Sequence, residues 1–357
     1  MDISKRIVVT FVVVAIVPML IISALSIGQI FTVANANAGD AAEALKAEEL
    51  ANLQRLSNDT ALFIQERWQS YIDGVYMMEQ YCEDLFNNRI SAAPQYSYYW
   101  DHTVEVAWGS LDFEEDPSII DAYGSETISF DADCYFIPRD QWNNNDPEDH
   151  SAGTANALDY SSNMINVFKA LHEMNPDYRW LYMGYDLAVS DQHLFRNYPF
   201  DEISYFQDYY DPGQDYDANS EDWYTNVAGI SPSEDNVIFT TPYVDPVGLV
   251  ISMGRPVRYD NGSLIGVVSA DVTMGTVLDN VLNLDVSTNG YAFLLDSTGA
   301  VVAHKDQSLE AEVALIETLE FGSAGSAEAT AFRSLLNTHV LVEDFGLLEY
   351  KKNNMDW

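Results

Sequence analysis

The sequence predicts an α+β protein: an apolar span, a long helix, and two α+β modules in series. Three observations carry that expectation. Residues 7–30 hold no formal charge, a helical periodicity follows from about residue 40 to 89, and two successive sets of strands are joined by tight turns.

The chain of 357 residues has 56 Asp and Glu against 16 Lys and Arg, a net charge of −40. Phosphate backbones need clustered Lys and Arg, so nucleic acid is excluded as a partner. Disorder is excluded too, because 47% of the residues are hydrophobic and 13% aromatic. An acidic surface of this kind suits high salt or the cell exterior, and charge alone does not choose between them.

Lys5 and Arg6 close a short N-terminal segment, 1–6, assigned to the cytoplasm. Residues 7–31 are read as a transmembrane helix; at 1.5 Å per residue the run covers ~36 Å, enough for a ~30 Å hydrocarbon core. Pro18 kinks it tolerably. The positive-inside rule then places everything beyond it outside, making this a plasma-membrane protein with an extracytoplasmic body. A cleaved signal peptide is the competing reading, with Ala34-Asn35-Ala36 or Ala36-Asn37-Ala38 as the cleavage pattern. Secretory apolar regions are shorter, roughly 7–15 residues, which favours the anchor. At the other end, Tyr350–Trp357 has no capping signature and reads as a truncation.

Residues 40–89 are expected to form one stalk helix. Leu53, Leu56, Thr60, Ile64, Trp68, Tyr71, Val75, Met78, Cys82 and Phe86 follow one another at steps of three or four. Gly74 is the weak point of the run. The first module is assigned to 90–284 and the second to 285–357. Residues 90–149 are acidic, aromatic and irregular; Asn143–Asp149 lacks the glycine and spacing of a calcium loop and reads as a solvated turn. A helix over 161–173, a strand at Tyr178–Gly184 and an acidic loop over 200–222 come next. Strands at Val237–Thr241, Leu249–Arg258 and Ser263–Val272 follow, the last two joined by the hairpin signal Asp260-Asn261-Gly262. A helix at Met274–Leu284 leads to the strand pair Gly290–Asp296 and Ala300–His304.

Cys82 and Cys134 either pair or sit apart as buried thiols, and the six histidines lack ligand spacing. No cofactor and no metal is expected. Nucleophile elbow, phosphate loop and metal cluster are all missing from the sequence, which speaks against an enzyme. An adhesive surface protein is the remaining rival, on the aromatics at 96–100.

Several phrases in order resemble the double Cache sensor domains of bacterial and archaeal transmembrane receptors. They are Asp222-Trp223-Tyr224, Thr241-Pro242-Tyr243-Val244-Asp245, Arg255-Pro256-Val257, Gly262–Val268 with Asp271, and Gly290–Asp296 with Gly299 and His304. The resemblance implies two PAS-like modules with antiparallel sheets, the distal one binding a small molecule. It also implies a homodimer and signal transduction of the chemoreceptor or sensor-kinase kind. The Leu53–Phe86 stripe serves either the core or a partner helix.

Amino-acid sensors of this family share a motif that this chain meets at Tyr216, Trp223, Tyr224, Tyr243, Asp245 and Asp271, with Glu221 where the motif has arginine. By that likeness Tyr243, Asp245 and Asp271 hold an ammonium group through charge-assisted hydrogen bonds, and Trp223 offers a cation–π face. Arginine would fork onto a ligand carboxylate; Glu221 repels one. The expected ligand is thus an amine without an acid group, or else an amino acid whose carboxylate meets another arginine, Arg255 or Arg258. Each residue has a plainer reading as well. Trp223 and Tyr224 can pack a core, Tyr243 and Asp245 can end a strand, Glu221 can face solvent, and Asp271 can cap the helix near Met274.

Overall fold

The computed structural model describes residues 12–13, 37–100, 111–112, 114–115, 127–201, 213–245, 247–284, 291–295, 301–306, 316–321, 325–337, 351–352 and 355–356. The expected membrane span lies outside these, apart from Val12–Val13, a two-residue strand paired with Leu294 and Phe293. Among the described residues no helix is long and apolar enough to cross a membrane.

The chain divides into two compact units, Gln69–Met274 and the combination of Met1–Trp68 with Gly275–Trp357. A single helix, α1 (Asn37–Phe86), runs through the stretch where periodicity demanded one. It ends where Asn88 takes the left-handed conformation, at φ 56°.

Besides a three-stranded sheet of Glu114–Glu115, Thr127–Ser129 and Phe200–Asp201, the larger unit holds one eight-stranded sheet. Its strands are β1 (Tyr98–Tyr99), β2 (Cys134–Phe136), β3 (Tyr178–Tyr185), β4 (Phe195–Tyr198), β5 (Ile238–Phe239), β6 (Tyr243–Asp245), β7 (Gly248–Arg258) and β8 (Leu264–Thr273). The order is β6-β7-β8-β3-β4-β2-β1, with β5 also pairing β7. All pairs are antiparallel except β1 with β2. The β7–β8 hairpin turns at Gly262, whose φ of 85° suits glycine.

The C-terminal turns of α1 pack on one face of this sheet. Tyr71, Val75, Met78, Cys82 and Phe86 are buried there, at the spacing the sequence shows. Gly74 is what lets the contact close. The Tyr178 hydroxyl donates to the Tyr71 carbonyl at 2.9 Å, in space that a Cβ on Gly74 would occupy. Beside it lies α3 (Met164–Met174), preceded by α2 (Ala152–Ser161), which Ser151 caps by accepting from the Thr154 amide. Cys82 and Cys134 are both free and buried, so they are separate thiols; burial pushes both thiol pKa values up.

The opposite face carries the short helix α4 (Asp222–Ala228). Its seat is Gly184 on β3, where a Cβ would lie 2.9 Å from the Tyr224 ring and 3.0 Å from the Trp223 ring. A register shift in β3 lets Tyr178 reach α1 while Trp180 and Tyr182 look to the other side.

In the smaller unit, α5 (Gly275–Leu282) is followed by the antiparallel pair β9 (Phe293–Leu295) and β10 (Val301–Ala303), then α6 (Ile316–Phe321) and α7 (Ala327–Leu335). Phe293, Leu295, Val301, Ile316, Phe332 and Leu336 make its core. His304 is buried in it, with Nε2 2.9 Å from Glu320 Oε1.

Candidate functional site

Asp271 sits in the middle of β8, opposite Ser252 of β7 on one side and Trp180 of β3 on the other. Three hydroxyls converge on its carboxylate. Tyr182 donates to Oδ1 at 2.5 Å, Ser252 to Oδ1 at 2.6 Å, and Tyr243 to Oδ2 at 3.3 Å. Burial pushes this carboxyl up to about 6, and the three hydroxyl donors pull it back. Both oxygens are engaged by side chains of the sheet, so Asp271 is not the cap of the following helix.

Asp245 closes the short edge strand β6. The residue is half-buried, yet its Oδ1 is sealed from solvent and has no hydrogen-bond partner among the described residues. Burial first, and then the charge of Asp271, hold its carboxyl well above the usual carboxylate range. The Arg179 guanidinium opposes this, but Arg179 is itself committed to Asp201 at 2.7 Å.

Around these two acids lies a cavity of about 280 Å³. Its walls are aromatic: Trp180, Tyr182, Phe195, Tyr216, Trp223 and Tyr243. The rings fix one another. Trp223 Nε1 donates to the Tyr216 hydroxyl at 2.9 Å, and the Tyr182 and Trp223 rings meet edge to face at 4.7 Å. Glu221 and Asp222, at the start of α4, add two more carboxylates to the lining. Among the described residues no Lys or Arg lines the cavity.

The fold thus brings six of the seven expected residues to one cavity: Tyr216, Glu221, Trp223, Tyr243, Asp245 and Asp271. Tyr224 is the exception. It leaves the helix about 100° round from Trp223 and is not part of the cavity lining. Tyr224 packs instead on Gly184 and against the Trp223 ring at 5.7 Å. Burial raises its hydroxyl pKa. The two arginines considered as carboxylate partners are elsewhere. Arg255 pairs with Glu79 and Asp235 and lies over the Tyr76 ring at 4.1 Å. Arg258 donates to the carbonyls of Gly262 and Ile230.

Sequence reasoning missed Trp180, Tyr182, Phe195, Asn197, Asp222, Thr240, Thr241 and Ser252. Trp180, Tyr182 and Gly184 alternate along β3, a period of two that marks one sheet face. That signal is masked because every residue of β3 is buried.

Chemically, the cavity offers four carboxylic acids, several hydroxyl groups and a ring of π-faces, with no fixed cation among the described residues. It is suited to a small cation that prefers aromatic surroundings to water.

Residues 155–279 match the family model described as the first PDC sensor domain of methyl-accepting chemotaxis protein-like chains. The methyl-accepting chemotaxis protein McpA of Pseudomonas putida is 35% identical over 99 residues, 27% of this chain and 15% of that protein. McpC of Bacillus subtilis is 34% identical over 110 residues, 28% of this chain and 16% of that protein. The chain therefore matches only about a sixth of the length of these relatives. Among solved structures, the ligand-binding domain of the Pseudomonas aeruginosa amino acid chemoreceptor PctC in complex with GABA is 26% identical. It covers 38% of this chain and 52% of that chain, with a TM-score of 0.28.

Proposed function

We propose, from the premise that residues 155–279 are a PDC sensor domain of the methyl-accepting chemotaxis protein-like type, that the cavity on β3, β7 and β8 is the ligand site of a transmembrane receptor. Its ligand is a small amine without a carboxylate: a monoamine, a diamine or a short polyamine. The single observation behind this reading is the lining, with four carboxylic acids and no Lys or Arg among its described residues.

In this reading the ammonium group lies between Asp245 and Asp271 and donates charge-assisted hydrogen bonds to both. Trp223 and Tyr243 supply π-faces worth ~0.5–2 kcal/mol to a cation. Glu221 and Asp222 accept a second ammonium group or repel an acid. Residues 7–31 anchor the chain in the plasma membrane, 90–284 form the distal module and 285–357 the proximal one, and the receptor works as a homodimer. Ligand binding shifts a two-state equilibrium only by its differential affinity for the two states.

Thermal unfolding of the full chain with propylamine, putrescine, glycine, L-alanine and L-glutamate tests this. A stabilising ligand raises the midpoint through RT ln(1 + [L]/Kd). Amines raise it and amino acids do not. Strong stabilisation by ordinary α-amino acids rejects the amine reading, and indifference to every compound favours an adhesive surface protein instead.

A further inference from the structure

The two acids at the heart of the cavity are not equivalent. Asp271 accepts from Tyr182, Ser252 and Tyr243, so its negative charge is solvated by the protein itself. Asp245 has no such cradle, and its sealed Oδ1 finds no hydrogen-bond partner among the described residues. Two carboxylates in one aromatic-walled cavity cannot both stay ionised cheaply unless a cation joins them.

Resting on the amine reading of this site, we infer that binding is an exchange of one cation for another: the empty cavity keeps a proton on Asp245, the arriving ammonium group displaces it to solvent, and acid therefore competes with ligand. The balance is simple. Asp245–COOH and R–NH3+ become Asp245–COO− paired with R–NH3+, and one H+ leaves to the buffer. No bond to the ligand forms or breaks.

Charged groups act on Asp245 from each side. From β8 comes Asp271, whose charge raises the Asp245 carboxyl; from β3 comes Arg179, which lowers it; beyond β4 lies Asp201, which raises it again. On β6 itself Tyr243 stands two residues away with its hydroxyl shared between Ser252 and Asp271. Glu221 and Asp222 line the same cavity from α4, and both are acids. The nearby cation, Arg179, already has Asp201 at 2.7 Å, so the local field favours a proton on Asp245 until a mobile cation arrives.

The consequence is a receptor whose sensitivity falls in acid. Alkylamines titrate near the lysine value of ~10.4, so between pH 5.5 and 8 the ligand does not change its own charge. Any change in affinity over that range belongs to the protein. Where Asp245 is protonated in the free form, affinity falls by up to about tenfold per pH unit.

Calorimetric titration of the full chain in detergent with propylamine, repeated in phosphate and in MES, tests the exchange. The two buffers take up protons with different enthalpies, so the difference between the measured heats counts protons released. Net proton release on propylamine binding is expected near pH 6.5, with affinity at least about tenfold weaker at pH 5.5 than at pH 7.5. Asp245→Asn should bind weakly and release fewer protons with a shallower pH dependence, what remains belonging to Asp271, whose carboxyl burial pushes up to about 6. Propylamine binding that is equally tight at pH 5.5 and 7.5 with the same heat in both buffers overturns the exchange while leaving the amine site standing. No binding of propylamine at any pH removes the amine reading and the exchange together. If the Asn variant fails to fold, a loss of affinity in the unaltered protein well beyond the about fourfold that Asp271 alone would give between pH 7.5 and 5.5 still decides the question.

Discussion

Replacing Asp271 by asparagine should make the empty protein more stable at neutral pH and blind to its ligand. An aspartate in an open chain titrates near 3.9, whereas burial carries Asp271 up to about 6. Folding therefore favours the protonated form. The stability this contributes is complete below about pH 4 and is lost as pH rises through about 6. At pH 7.5 the folded chain holds an anion at a cost of about 3 kcal/mol relative to the neutral form. Asparagine has the same shape and never ionises. Its amide NH2 must meet one of the hydroxyls that now donate to Asp271, a mismatch of about 1 kcal/mol. The variant should thus gain about 2 kcal/mol at pH 7.5 and lose about 1 kcal/mol at pH 4. Urea unfolding of both proteins at the two pH values measures this. Because wild type and variant are compared at one pH, repulsion among the other carboxylates cancels. Propylamine affinity should fall more than tenfold. A variant equally destabilised at both pH values would show that Asp271 is held by its hydroxyls at no electrostatic cost, and would refute the reasoning.

Three further changes probe other parts of the molecule. Glu221→Arg restores a guanidinium to the acidic wall and should create binding of α-amino acids such as L-alanine, read by calorimetry; continued silence would mean residue 221 does not face the ligand. Trp223→Ala removes a cation–π face that also steadies Tyr182 and Phe195, so propylamine affinity should drop about tenfold, with Trp223→Phe recovering most of it. Gly74→Ala sets a Cβ 2.1 Å from the Tyr178 hydroxyl; despite better helix propensity it should destabilise by about 1–2 kcal/mol in urea melts, and a stabilised variant would mean Tyr178 yields freely.

Elements with one strong period were legible. The apolar steps from Leu53 to Phe86 mark α1 because its face is buried against a sheet, and Asp260-Asn261-Gly262 marks the β7–β8 hairpin because Gly262 must take a positive φ. Helix α2 was not legible, since Ala152–Ser161 is rich in small and polar residues and has no apolar stripe. Strands β2 and β4 were hidden for another reason. Arg196 is wholly buried in β4 through a 2.5 Å ion pair with Asp133, just before β2, so polar residues stand where a strand pattern calls for apolar ones. At the cavity, acids and aromatics joined by a motif were found, while Tyr182 and Ser252 were not. Their role arises only when β3, β7 and β8 lie side by side and bring their hydroxyls to Asp271.

Tyr182 and Met183 are neighbours in the chain, yet they look in opposite directions. The first donates its hydroxyl to Asp271; the second has its sulfur 3.5 Å from Cys82 on the long helix. One strand thus carries the cavity on one face and the long helix on the other, and its two contacts stand a single residue apart.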